Sequence, residues 1–191
     1  MHQSSSQCGE DTWIINNIPL PQRGVFVEVG AADGVTNSNT LAFERLGWDG
    51  LLIEPDPRYT QLGEYRVAKV LRNAVTTDIG IFDFPQHDDP QLSGFLRKTD
   101  KSEKVVGRRL DDILGIFRIG HVDLLSIDTE GTELDVWRSL GDYDRPSIVI
   151  IEWNTEGMPS REDEITATLT ADGYDLAQKV GCNLIFTRKA E

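Results

Sequence analysis

Residues 26–34 read FVEVGAADG, an apolar run that ends in a glycine turn. A strand followed by Gly-x-x-x-Gly and a helix is how α/β proteins bring their backbone close to a nucleotide. This strand also carries an acid, Glu28, two residues before Gly30. The stretch therefore predicts an α/β fold with a ligand-binding turn at the end of its first strand.

Glu28 bears on which nucleotide the turn binds. A dinucleotide or triphosphate places phosphate on the backbone N–H groups of such a turn, and a nearby carboxylate would repel it. An ammonium group would be attracted instead. S-adenosylmethionine has an adenosine at one end, an amino-acid ammonium at the other and no phosphate, so we expect it to be the cofactor.

The rest of the chain alternates short β-rich apolar runs with helix-like stretches, which predicts a mostly parallel sheet with helices on both faces. Residues 38–40 (SNT) predict the N-cap of a helix that ends at Gly47, and residues 51–53 predict the second strand. The runs 174–180 and 184–188 read as a hairpin. We therefore expect the sheet to end in an antiparallel pair.

The middle of the chain is less regular. A helix is predicted from about residue 58, one strand over 67–75, and a hairpin partner or extension at 79–84. Residues 85–101 have neither helical nor strand periodicity and are long for a connector within a compact domain. We expect this loop to contact the substrate.

Composition bounds the organisation and the partners. The 191 residues, 39% hydrophobic and 27% charged, predict one domain over 1–191 with an N-terminal segment at 1–12. The net charge of −13 disfavours nucleic acid as a partner. Because no apolar run approaches about 20 residues and residues 1–6 lack a basic region and apolar core, we expect a cytoplasmic protein without membrane insertion.

Ligands of open α/β sheets sit outside the carboxyl ends of the strands. Glu54 ends the second predicted strand and lies 26 residues after Glu28 (54 − 28), close to the offset of roughly 20 residues at which an acid reaches a ribose diol. Glu54 is therefore predicted to bind the ribose. The alternative is a solvated acid before Pro55.

Residues 124–133 (LLSIDTEGTE) form a second acidic strand end. Glu133 is explained by its place near a helix N-terminus, where an acid gains about 0.3–1 kcal/mol. Asp128 follows a buried strand directly, so it needs a partner such as a metal, another cation or the cofactor ammonium.

Glu152 and Asn154 end the next apolar run, 148–151. Oxygen ligands from Asp128, Glu152 and Asn154 could hold Mg²⁺, which would lower the pKa of a bound hydroxyl. Alternatively, Asp128 or Glu130 acts directly as a general base and no metal is needed. Both readings make Asp128, Glu130 and Glu152 the catalytic candidates, and the sequence does not choose between them.

Taken in order, the motifs resemble the FkbM family of S-adenosylmethionine-dependent methyltransferases. They are residues 6–11 (SQCGED), 26–34, 38–40, 47–55 (GWDGLLIEP), 127–133 and 151–154 (IEWN). The resemblance implies the class I methyltransferase fold, with a seven-stranded Rossmann-like sheet whose last strand is antiparallel. It also implies O-methylation of a small molecule, a sugar or a polyketide-like acceptor. Little sequence remains to build a lid beyond the 85–101 loop, so we expect an acceptor site that is either open or completed by a second subunit.

The resemblance also assigns the cofactor site. Glu28, Gly30, Ala31 and Asn39 would surround the methionine part, and Asp128 would lie near the sulfonium. The ribose and adenine would contact Glu54, Pro55, Asn73 and Ala74. Two other functions compete with this one. A non-catalytic domain could keep the cofactor fold for binding or assembly, and an NAD-dependent dehydrogenase is disfavoured because no third glycine follows Gly34.

Overall fold

The computed structural model describes residues 4–155 and 157–189. Its strands, in chain order, are β1 Val25–Val29, β2 Asp49–Ile53, β3 Lys69–Leu71, β4 Ala74–Val75, β5 Gly80–Pro85, β6 Ser102–Arg108, β7 Leu124–Ile127, β8 Ile148–Glu152, β9 Tyr174–Val180 and β10 Asn183–Arg188. Its helices are α1 Glu10–Asn17, α2 Leu41–Arg45, α3 Leu110–Phe117, α4 Glu133–Arg138 and α5 Glu162–Ala171.

Seven strands form the main sheet in the order β3-β2-β1-β7-β8-β10-β9. The first five of these are parallel to one another, while β10 runs antiparallel to both β8 and β9. This arrangement confirms the predicted fold class, including the antiparallel pair at the end of the chain. The strand order reverses at β1, which pairs with β2 on one side and β7 on the other, so the expected ligand position lies there.

Side chains alternate across the sheet and fill two apolar cores. Val27 and Val29 face one core, which contains the buried side chains of α3, α4 and α5. Phe26 faces the other core, together with Ile14 of α1 and Phe43 of α2. Helices therefore cover both faces of the sheet, as the sequence predicts. Among the described residues, no helix is long and apolar enough to cross a membrane.

The helix predicted from about residue 58 is wrong. Residues 57–65 form successive turns instead. The Asp56 carboxylate accepts a hydrogen bond from the Arg58 backbone N–H at 2.9 Å, which offers the chain a local turn in place of helical bonding. Gly63, with φ +92°, keeps the following backbone out of the helical region.

The single strand predicted over 67–75 is also wrong, because the segment divides between two sheets. β3 pairs with β2, which ends before Pro55, a residue with no N–H to continue the ladder. β4 instead pairs with β6, and β6 pairs with β5 to complete a three-stranded sheet in the order β4-β6-β5. The run 79–84 therefore has a partner about twenty residues later in the chain, beyond the irregular loop.

Candidate active site

A cavity of about 250 Å³ lies outside the carboxyl ends of β1, β2, β7 and β8. It is the place where the sequence-predicted residues meet. Every one of them lines it: Glu28, Gly30, Ala31, Asn39, Glu54, Pro55, Asn73, Ala74, Asp128, Glu130, Glu152 and Asn154. Residues 90–93 and Phe95 of the irregular loop line it as well.

The glycine turn forms one wall of the cavity. Gly30 has φ +84°, and a Cβ added there would collide with the carbonyl group of Asp128. The Gly30 and Ala31 N–H groups both donate to the Ile53 carbonyl, at 2.9 and 3.2 Å. Only glycine permits this close approach between the turn after β1 and the backbone that follows β7.

Glu28 is buried, and its carboxylate is hydrogen-bonded by neighbouring residues of the protein. Its carboxylate accepts hydrogen bonds from the Asn39 N–H at 2.9 Å, the Thr40 hydroxyl at 2.6 Å and the Ser38 hydroxyl at 2.9 Å. Burial raises the pKa of Glu28, although these bonds and the nearby Arg66 act in the opposite direction. Glu28 therefore fixes the turn that begins α2, and most of its acceptor capacity is taken.

Arg66 lies beside Glu28, and this contact was not predicted from the sequence. Its side chain is fully buried and lies 3.6 Å from the Glu28 carboxylate and 3.1 Å from that of Glu44. It also donates to the Gly34 carbonyl and to the Ser38 hydroxyl. Arg66 lies in the irregular stretch after β2, where no periodicity marks it.

Asn39 lines the cavity and carries an unused hydrogen-bond acceptor. Its amide nitrogen donates to the Ser126 hydroxyl at 3.1 Å, whereas its buried amide oxygen has no hydrogen-bond partner within the described residues. A buried acceptor without a donor costs about 1–3 kcal/mol. An ammonium group bound beside Glu28 would supply the missing donor, so the residues fit the amino-acid end of S-adenosylmethionine.

Glu54 presents acceptors at a second point of the cavity. One carboxylate oxygen accepts from the Ala32 N–H at 2.9 Å, and the other accepts from the Asp56 N–H at 2.7 Å. Each oxygen keeps a further acceptor position, so the carboxylate can receive both hydroxyls of a ribose diol. Burial raises the pKa of Glu54 to about 7.

Asp128 and Glu152 bring two acids together at the ends of β7 and β8, with carboxylate oxygens within 4.8 Å of each other. Burial and the carboxylate of Glu152 raise the pKa of Asp128 well above its ordinary range. Burial likewise raises the pKa of Glu152 to about 7, although the Thr155 hydroxyl donates to it at 2.8 Å and opposes this shift. Two carboxylates side by side in a poorly solvated site ionise less readily than separate ones, so this arrangement favours a proton shared by the pair.

Glu130 joins these acids but has a cationic partner. Oxygens of Asp128, Glu130 and Glu152 all lie within 4.8 Å of one another. Arg97, from the irregular loop, donates to Glu130 at 2.5 Å, and both side chains are largely buried. Glu130 has φ +57°, an uncommon conformation for a residue with a side chain. The loop is thus tied to the acids at the base of the cavity.

Oxygen donors of this kind suit Mg²⁺, and Asn154 lines the same cavity. Asp128 and Glu152 would hold the ion and would share it with a substrate hydroxyl. However, Arg97 already places a positive charge at Glu130, and the raised pKa of Asp128 disfavours the doubly ionised form of the pair. The magnesium site therefore stays a prediction.

Several lining residues were not identified from the sequence. They are Gln7, Thr36, Asn37, Tyr59, Phe84, Ser93, Phe95 and Cys182. Gln7 lies in the 6–11 motif, and that motif is the sequence feature from which Gln7 could have been predicted as a lining residue. The loop residues carry no periodic pattern, and Cys182 enters only because the β9–β10 turn meets the end of β8.

Arg58 holds the loop over the cavity. Its guanidinium donates to the Asp56 carboxylate at 2.6 Å, to the Ser93 hydroxyl at 2.6 Å and to the His87 carbonyl at 2.7 Å. Asp56 is itself buried and follows Glu54 in the same turn. The end of β2 and the irregular loop are therefore joined through one side chain.

A model of the methyltransferase FkbM domain matches residues 28–176, which is most of the chain. The chain belongs to the FkbM methyltransferase family. This confirms the resemblance seen in the motifs and makes the protein a methyltransferase by family, a class that generally uses S-adenosylmethionine. No curated protein matches the FkbM chain.

Solved structures similar to this FkbM chain share its fold. A ribosomal protein L11 methylase from Lactobacillus delbrueckii subsp. bulgaricus matches with a TM-score of 0.52 and 12% identity, covering 95% of this chain and 77% of that one. A precorrin-6y C5,15-methyltransferase from Geobacter metallireducens matches with a TM-score of 0.52 and 12% identity, covering 94% and 88%. At these identities, the likeness supports the Rossmann-like fold alone.

Proposed function

We propose that this FkbM protein is an S-adenosylmethionine-dependent O-methyltransferase that acts on a hydroxyl group of a small molecule, such as a sugar or a polyketide-like acceptor. The observation that carries the proposal is the Asp128–Glu152 pair, which places a proton acceptor in the cavity beside the glycine turn. A domain kept only for binding would not need two acids placed together at the ends of neighbouring buried strands.

The cofactor would be held along the wall formed by β1 and β2. Asn39 and the turn at Gly30 would receive its amino-acid end, and Glu54 would receive its ribose. When bound, S-adenosylmethionine supplies an electrophilic methyl group. The negative charge that remains on the Asp128–Glu152 pair would favour a sulfonium near the end of β7.

The acceptor must lose a proton from the oxygen that receives the methyl group. Asp128 and Glu152 share their negative charge, so either oxygen can take this proton when the hydroxyl lies within hydrogen-bond distance. Arg97 holds Glu130 and the loop that carries Phe95, and it thereby helps to close the cavity around the acceptor. Exclusion of water and alignment of the oxygen supply the rest of the rate enhancement.

Charge disfavours an anionic acceptor. The acids Asp128, Glu130 and Glu152 all line the cavity. The net charge of −13 would also repel a polyanion such as nucleic acid. We propose no membrane insertion and a cytoplasmic location. A second subunit that completes the acceptor site belongs to the same proposal.

The proposal is tested by binding and by product analysis. Calorimetry with S-adenosylhomocysteine and with NAD should give binding of the first only. Incubation with S-adenosylmethionine and matched panels of sugar and polyketide alcohols and of amines should give methyl ethers by mass spectrometry. Tight NAD binding without S-adenosylhomocysteine binding would overturn the proposal, and so would methylation confined to the amines.

Chelation separates the two routes of proton removal. If Asp128 and Glu152 act directly, excess EDTA leaves the rate of methyl ether formation unchanged. A rate that falls with EDTA and returns with Mg²⁺ would instead give the pair the role of metal ligands. The assignment of methyl transfer to oxygen would stand in either case.

A further inference from the structure

Tyr59 is a lining residue of the cavity whose hydroxyl has no hydrogen-bond partner within the described residues, although that hydroxyl is buried. Its ring packs against the apolar core that contains Phe26 and Leu52. The ring is therefore held in place at the cavity wall, and its hydroxyl has no partner among the described residues. Most buried polar groups in proteins are satisfied, so an unsatisfied one on a residue that lines a cavity points to a ligand contact.

The surroundings of Tyr59 restrict what that ligand can be. Four carboxylates act on it, namely Glu54, Asp56, Asp33 and Asp89, and together with burial they raise the pKa of its hydroxyl. The hydroxyl therefore stays protonated and can donate a hydrogen bond.

Three of these carboxylates are bound elsewhere. Asp33 accepts from the Val35 and Thr36 N–H groups, Asp56 is bound by Arg58, and Asp89 accepts from the Gln91 N–H. Glu54 is the one of the four that lines the cavity with Tyr59. Tyr59 thus offers a hydrogen-bond donor, and Glu54 offers an acceptor, on the lining of one cavity.

We infer that Tyr59 and Glu54 together recognise the vicinal diol of a ribonucleoside, in which one hydroxyl donates to Glu54 and accepts from Tyr59. A ribose hydroxyl can do both at once, whereas an ammonium or an aliphatic chain cannot. This inference rests on the proposed function, because it takes the ribonucleoside to be that of S-adenosylmethionine. Tyr59 is a binding residue here and takes no part in the chemical step.

The test is the Tyr59→Phe variant, with binding measured by calorimetry. Its affinity for S-adenosylhomocysteine is expected to fall by about 3- to 10-fold, the effect of one neutral hydrogen bond. Its affinity for the 2′-deoxy or the 3′-deoxy analogue is expected to equal that of the unaltered protein, because the contacted hydroxyl is already absent. The matched control is Tyr65→Phe, since Tyr65 is 72% exposed and does not line the cavity.

The melting temperature of the ligand-free Tyr59→Phe variant is a second measurement, and it is not expected to fall as the affinity does. Removing an unpartnered buried hydroxyl should leave the melting temperature of the ligand-free protein unchanged or raise it. The inference is overturned if Tyr59→Phe binds S-adenosylhomocysteine as the unaltered protein does. It is also overturned if the variant loses the same factor for both deoxy analogues. Failure of the unaltered protein to bind S-adenosylhomocysteine would instead overturn the proposed function itself.

Discussion

Two neighbouring strands of the sheet end in acids that look alike in sequence and differ in their surroundings. Glu28 on β1 is surrounded by Ser38, the Asn39 N–H, Thr40 and Arg66, all from its own chain. Asp128, which follows β7, faces another acid, Glu152, instead of a cation. The comparison shows two roles for an acid at a strand end. The acid is structural when other residues of the protein supply hydrogen-bond donors to its carboxylate, and it is available for chemistry when they do not.

The cost of burial explains why the two must be treated differently. A buried carboxylate is tolerated when hydrogen-bond donors surround it. Removing the carboxylate of a buried ion pair leaves its cationic partner without a counter-charge in a poorly solvating interior. The raised pKa values of Asp128 and Glu152 lower that cost, because a proton shared by the pair removes one of its two charges. The first arrangement contributes rigidity, and the second leaves a group that can exchange a proton with a ligand.

The largest expected effect is on turnover. Asp128→Asn should lower kcat for a methylated hydroxyl acceptor by about 10²- to 10⁴-fold, because it removes the proton acceptor. Binding of S-adenosylhomocysteine, which carries no sulfonium charge, should change little. Asp83→Asn is the matched control, since Asp83 is exposed and pairs with Lys104 at the surface. Full turnover by Asp128→Asn would remove Asp128 from the catalytic assignment.

Glu28→Gln should instead act on stability. It removes the charge beside the fully buried Arg66 side chain, although Glu44 remains as a second partner. We expect the free energy of unfolding in urea to fall by about 3 kcal/mol, the lower end for breaking a buried ion pair. If Glu28→Gln unfolds at the same urea concentration as the unaltered protein, Glu28 is not the structural acid of this comparison.

Glu54 accepts hydrogen bonds, as Glu28 does, and has a raised pKa, as Asp128 does. Its contribution should appear in the pH dependence of the free energy of unfolding. Because folding raises its pKa from 4.5 to about 7, the folded protein keeps a proton that the unfolded chain releases between these values. The free energy of unfolding therefore decreases as the pH rises through this window, by on the order of 3 kcal/mol from this group. Glu54→Gln should lack that decrease when the two proteins are unfolded at about pH 5 and about pH 8. Parallel pH profiles would contradict the assignment.

The smallest expected effect concerns the loop that covers the acids. Arg97→Gln removes the bond to Glu130, so the amides of residues 86–101 should exchange with deuterium about 10-fold faster. Lys101→Gln is the control, because Lys101 pairs with Asp88 at the exposed surface and such pairs contribute little. Equal exchange in both variants would show that Glu130 does not hold the loop.

The positions of the acids could be predicted, whereas their partners could not. Glu28, Glu54, Asp128 and Glu152 each follow an apolar run, and parallel strands bring their carboxyl ends to one edge of the sheet. Arg66, Arg97 and Tyr59 lie in turns and loops. These segments lack the hydrophobic periodicity from which the place of a residue in the fold can be predicted. The helix expected near residue 58 was predicted from a local start signal alone, and the segment that follows forms successive turns with Gly63 at φ +92°.

The sequence alone determined the sheet, its antiparallel end, the family and the residues that meet at the cavity, because these follow from strand periodicity and from motifs that are local in the chain. Tertiary structure decided which acids are free to act. Glu28 became structural when Arg66, 38 residues later in the chain (66 − 28), came to lie beside it. Asp128 kept its chemistry because the fold brought it an acid, and the pKa of a buried group depends on the charges that surround it in space.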